Sequence, residues 1–161
     1  MLITVTKRFD FAASHQLPYH QGQCRFLHGH NYEVVVGVRS HCLQTEGPSA
    51  GMVVDFGDLK ALVKPLIAKL DHTHLNDWLP NPTAENIAGA ILCYVAANFL
   101  YQWVSLFVAV EETPGVSAYV EISYDEWEQF RQQIPVEWQF VGMATENSDR
   151  ESKNQQEVVP K

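Results

Sequence analysis

The chain has 161 residues, 46% of them hydrophobic, enough for one domain with a real core plus a tail. A net charge of −8 and a pI near 5.2 exclude the overall basic field that nucleic-acid binding uses. There is no apolar run of about 18 residues and no signal-peptide core, and the three cysteines (Cys24, Cys42 and Cys93) are widely spaced, so a cytoplasmic protein without membrane partner or disulfide framework is expected.

Ile3, Val5, Phe9 and Phe11 share one parity, which predicts a strand over residues 2–12. Tyr32, Val34, Val36 and Val38 predict a second from Asn31 to Arg39. Residues 40–51 have loop composition, and Met52-Val53-Val54 reads as a return to strand. Leu59, Leu62, Val63, Leu66, Ile67 and Leu70 then follow the spacing of an amphipathic helix, with Asp55 or Asp58 as its cap and Pro65 as an expected kink. After the Pro80-Asn81-Pro82 break, Thr83 caps a second helix whose inner stripe is Ile87, Ile91, Tyr94 and Val95. Strands about Trp103–Glu112 and Val116–Ile122 flank a turn at Thr113-Pro114-Gly115. Ser123 to Glu126 is a capping-box pattern that opens a short helix with Trp127, Phe130 and Ile134 inward. Residues 144–161 are polar and expected to be disordered. The simplest arrangement is α+β: a four-stranded antiparallel sheet with two helices on one face.

The stretch Cys24-Arg25-Phe26-Leu27-His28-Gly29-His30 carries the most chemistry. If the backbone is extended from His28 onward, His28 and His30 share a face with Tyr32, and Gly29 lets another backbone approach. A bare His-x-His pair is common in turns. It gains weight from the nearby thiol and from His15, which ends the first strand and would complete a three-ligand zinc site with an open position. His20 is a competing third ligand, in a Gly-containing loop. Cys24 can be an unbound acid/base thiol or a fourth ligand that closes a structural site. Asp71-His72-Thr73-His74 follows the first helix. His72 there can relay a proton with Asp71 fixing its tautomer, or simply favour the helix dipole. Glu112 shares parity with Val104, Leu106, Val108 and Val110, so it points inward and needs a donor partner, while Glu111 reaches water. Cys93 reads as a core residue, and Cys42 has no assigned role.

These pieces resemble, in order, the 6-pyruvoyltetrahydropterin synthase/6-carboxytetrahydropterin synthase family. The matching segments are Phe11-Ala12-Ala13-Ser14-His15, Cys24 through His30, Gly51 through Lys60, Leu70-Asp71-His72, Leu75-Asn76, Pro82-Thr83-Ala84-Glu85-Asn86 and Glu112-Thr113, within residues 1–122. The resemblance implies a tunnelling fold whose subunits form barrels, usually a homohexamer of two trimers with active sites between subunits. It implies Zn2+ on His15, His28 and His30. Cys24 would be the general acid/base, Asp71 and His72 its relay, and Glu112 the anchor of the pterin ring. The short gap from Cys24 to His28 is similar to the bacterial 6-carboxytetrahydropterin synthases. That implies 7,8-dihydroneopterin triphosphate as substrate and 6-carboxytetrahydropterin, acetaldehyde and triphosphate as products, in queuosine and other 7-deazapurine pathways. Alternatives are the 6-pyruvoyl product or a non-catalytic pterin-binding homologue. Residues 123–143 form an extension past the family core of a domain spanning 1–143, and no Lys/Arg cluster marks a triphosphate pocket.

Overall fold

The computed structural model of the chain describes residues 1–101 and 103–140. The expected tail at 144–161 and the last three residues of the extension lie outside that range. Strand β1 (Ile3–His15) pairs antiparallel with β2 (His28–Ser40), with Ile3 opposite Ser40 and His15 opposite His28. Strands β3 (Ser105–Thr113) and β4 (Val116–Ser123) continue the sheet in the order β1-β2-β3-β4, all antiparallel and not closed on itself. Side chains alternate between faces. Phe9, Phe11, Ala13 and His15 of β1 are buried on one face with Tyr32, Val34, Val36 and Val38 of β2.

The first two strands reach further toward their connection than apolar alternation predicts. Backbone pairing carries the ladder through Ser14-His15 and His28-Gly29, where a Cβ on Gly29 would lie 3.1 Å from the Ala13 carbonyl oxygen. Strand β3 starts at Ser105 rather than Trp103. The expected strand at 52–54 does not form. Val53 and Val54 are both buried, which a strand's alternation does not allow on a one-sided sheet, and Asp55 immediately caps a helix.

Helix α1 (Phe56–Leu70) starts where the Asp55 carboxylate accepts from the Gly57 N–H at 2.6 Å. It passes through Pro65 and buries Leu59, Val63, Leu66, Ile67 and Leu70. Each such side chain contributes roughly 1.5–3 kcal/mol of burial, comparable to the ~3 kcal/mol that an internal proline costs. Helix α2 (Ala84–Asn98) is capped by Thr83, whose hydroxyl accepts from the Asn86 N–H at 3.3 Å. It buries Ile87 through Cys93 without a gap, more than the single stripe that the sequence predicts. The reason is the extension. Helix α3 (Tyr124–Phe130), opened by the Ser123/Glu126 capping box, and the turn Val136–Trp138 pack against the core through Trp127, Phe130, Ile134 and Trp138. Ile134 takes its place there from beyond the end of α3. No helix among the described residues is long and apolar enough to cross a membrane.

Candidate metal centre

The strand register brings three imidazoles together. His15 and His28 are direct cross-strand partners, and His30 lies opposite Ala13 on the same face as His28. One nitrogen from each of His15, His28 and His30 lies within 4.8 Å of the others, and this donor cluster includes neither Cys24 nor His20. His20 instead accepts from the Gly22 N–H at 3.0 Å, exposed in the loop.

Outer partners set the tautomers. His15 Nδ1 lies 2.8 Å from the Pro82 carbonyl oxygen, and His28 Nδ1 lies 2.7 Å from that of Phe26. A carbonyl only accepts, so each Nδ1 carries the proton and each neutral ring turns a lone pair on Nε2 toward its neighbour. Those two Nε2 atoms are 3.0 Å apart, and the buried Nε2 of His30 has no hydrogen-bond partner. Facing lone pairs and an orphaned buried nitrogen are unfavourable unless a cation lies among them. The donor set therefore fits a metal ion of zinc's preferences, and the three histidines could hold one.

Glu112 closes the cluster. Its Oε1 is 3.1 Å from His15 Nε2 and 3.6 Å from His30 Nε2. With no ion among the rings, a proton on His15 Nε2 is donated to this carboxylate and holds it below the ordinary range, although burial opposes this; a metal ion at Nε2 would take that proton's place. Burial acts to lower His15, but the bonds to Glu112 and Pro82 outweigh it and leave the ring raised. His30 is lowered, first by burial and then by the adjacent His15 and His28, against the pull of Glu112. Tyr32, 1% exposed, has its hydroxyl pushed far up by burial and by the Glu112 carboxylate. The shared parity of Tyr32 with the histidines was the available signal for its place at the site. The Pro82 carbonyl has no sequence signature, being a backbone group.

The other expected residues lie around this centre. Cys24 is half-buried in the single turn Gln23–Arg25, and its carbonyl accepts from the Leu17 N–H at 2.8 Å. Asp71 ends α1. One of its carboxylate oxygens accepts from the Ala12 N–H and the other lies 2.9 Å from His72 Nδ1. Those contacts, the Ala12 N–H first, lower the Asp71 carboxyl. His72 has φ +58, a left-handed conformation costing on the order of 1–3 kcal/mol for a non-glycine residue. A 2.6 Å bond from its N–H to the Ala12 carbonyl holds it there, with its side chain 81% exposed. An open pocket of about 560 Å3, lined by Ala12, Ser14, Gly29, His30, His72 and His74, adjoins this segment. No hydrogen bond or ion pair joins Asp71 or His72 to Cys24 or to the three histidines among the described residues. Cys93 is buried in the core, its thiol pushed up to about 12 by burial.

Comparison with known proteins places the chain in a family and a fold. The family described as 6-pyruvoyl tetrahydropterin synthase matches residues 4–123. The 6-carboxy-5,6,7,8-tetrahydropterin synthase of Synechocystis sp. is 50% identical over 90 residues, which cover 54% of this chain and 70% of that one. Its namesake from Rickettsia typhi is 35% identical over 101 residues, covering 60% of this chain and 70% of that one. The structure of Caenorhabditis elegans 6-pyruvoyl tetrahydropterin synthase superposes with a TM-score of 0.61 at 25% identity, covering 76% of this chain and 97% of that one. With the sheet, the three facing imidazoles and the sequence match all falling within the same segment, the chain belongs to the 6-pyruvoyl tetrahydropterin synthase family.

Proposed function

We propose that this chain is a zinc-dependent synthase that converts 7,8-dihydroneopterin triphosphate to 6-carboxy-5,6,7,8-tetrahydropterin, releasing acetaldehyde and triphosphate, in queuosine and other 7-deazapurine biosynthesis. The observation that carries this reading is the convergence of three ligand-ready imidazoles beside Glu112 in a chain half identical, over 90 residues, to a protein of that name. The spacing of Cys24 and His28 favours the 6-carboxy over the 6-pyruvoyl product.

Zinc on His15, His28 and His30 would supply a Lewis acid for the hydroxyls of the substrate side chain. With the three Nε2 atoms so committed, the Glu112 carboxylate is left to accept from the 2-amino and N3 edge of a pterin. The Cys24 thiol, outside the donor cluster, serves as a proton acceptor and donor. Asp71 faces His72 Nδ1 and a carboxylate only accepts, so the proton sits on Nδ1 and Nε2 is left to exchange one with substrate. The exposure of His72 and its lack of a bond to Cys24 support an active site shared between copies, Asp71 and His72 coming from a neighbour. The open sheet, with β1 and β4 at its edges, supports closure into a barrel in a homohexamer of two trimers. A cytoplasmic location completes this reading.

Incubation of the zinc-loaded chain with dihydroneopterin triphosphate tests it. Acetaldehyde should appear in equal amount to 6-carboxytetrahydropterin. Release of triphosphate with only the 6-pyruvoyl product, or no turnover at all, would overturn the assignment.

A further inference from the structure

The extension after β4 reaches the metal centre through a continuous set of hydrogen bonds. The Trp138 Nε1–H donates to Asn86 Oδ1 at 3.1 Å. The Asn86 Nδ2–H donates to the Asn81 carbonyl at 2.8 Å, and that carbonyl also accepts from the Thr83 N–H at 2.9 Å. Asn81 is bonded covalently to Pro82, whose carbonyl takes the His15 Nδ1–H at 2.8 Å. The direction of each bond matters. Indole N–H can only donate, so it selects the oxygen of the Asn86 amide and leaves the nitrogen to face Asn81. The Asn81 carbonyl also only accepts, so both partners select the same amide orientation. Removing the indole donor leaves Asn86 Oδ1 without its partner, and an amide that turns to find another donor draws its nitrogen away from the Asn81 carbonyl and loosens the Asn81–Pro82 backbone.

The seat of Trp138 is equally defined. A Cβ on Gly89, one turn along α2 from Asn86, would lie 2.3 Å from the indole Cε2 and 2.7 Å from its Nε1. Glycine in mid-helix is a poor helix former, and here its missing side chain is filled by the ring. Trp138 lies beyond the segment that the family matches.

We propose that Trp138 is a positioning residue for the metal centre. Acting through Asn86 and the Asn81–Pro82 backbone, it holds the carbonyl that orients His15 and sets its tautomer. This rests on the reading of His15, His28 and His30 as metal ligands. Outer partners of ligating histidines typically change metal affinity about 10–100-fold when lost, and a partner held at one remove belongs at the lower end.

The test uses the full chain in three forms: wild type, Trp138→Phe and Gly89→Ala. The first variant keeps an aromatic ring and removes the N–H. The second displaces the ring from α2 while improving local helix propensity, so it guards against a variant that simply fails to fold. Zinc affinity is measured by competition with a chromophoric chelator, and the ligand-field spectrum is recorded with Co2+. Both folded variants should bind zinc about tenfold more weakly and show a shifted cobalt spectrum. A purely structural role for Trp138 would lower thermal stability without moving that spectrum. A folded variant with wild-type zinc affinity and cobalt spectrum overturns the proposal, while a wild-type chain that binds no zinc overturns the metal reading and this proposal with it.

Discussion

The three histidines and the Asp71–His72 pair stand within one chain under opposite constraints. His15 is fully buried, clamped between a strand ladder and the Pro82 carbonyl. His72 is 81% exposed, on a single left-handed residue at the end of α1, held by one carboxylate and one strand carbonyl. Register builds the first site, bringing together three imidazoles that could hold a metal ion. The second holds His72 toward solvent, with no bond to Cys24 or the three histidines among the described residues; in the proposed reading it is an acid/base that works on a neighbouring copy. Metal retention and turnover should therefore separate cleanly between the two regions.

The largest effect is expected at the buried site. His30→Ala should weaken zinc binding by well over about 100-fold, beyond what the loss of an outer partner does, and abolish turnover; metal analysis after dialysis checks it. Next, Cys24→Ala and His72→Ala should each retain stoichiometric zinc yet lose about 10²–10⁴-fold in kcat, the usual contribution of a positioned acid/base. Co-refolding those two inactive variants together should restore part of the activity, because some interfaces then pair an intact Cys24 with an intact His72. Failure to recover any would break the distinction drawn between the two regions. The smallest effect concerns acid stability. The Asp71 carboxyl is lowered by the Ala12 N–H and His72, so its contribution is present above the ordinary carboxylate pKa of about 4 and is lost as pH falls through the depressed folded value. Asp71→Asn should lower the unfolding midpoint slightly at neutral pH and flatten its acid limb, the two proteins converging as pH falls below about 4.

Much of this was legible in the residues. Alternation in β1 and β2 placed His28, His30 and Tyr32 on one face, and parity along β3 turned Glu112 inward. What was hidden has physical causes. Val53-Val54 looked like a strand because adjacent β-branched residues suit one, yet their burial comes from the turn into α1. The nearly all-round burial of α2 depends on Trp138 meeting Gly89, a long-range contact with no local pattern. The sequence marked Asp71-His72 as a pair but not its left-handed backbone, which the Ala12 backbone on β1 imposes. The expectation that Glu112 needs a donor was right in kind. Its partner within the chain is His15, and the pterin edge remains the proposed second one.

The central claim is an open three-histidine zinc site with Cys24 outside it. Cobalt substitution of the wild-type chain tests this most directly. The substituted protein should show visible ligand-field bands that disappear in His30→Ala, with no sulfur-to-metal charge transfer in the near ultraviolet. A charge-transfer band that Cys24→Ser removes would contradict it, making the site a closed Cys/His3 centre with no thiol left for proton transfer.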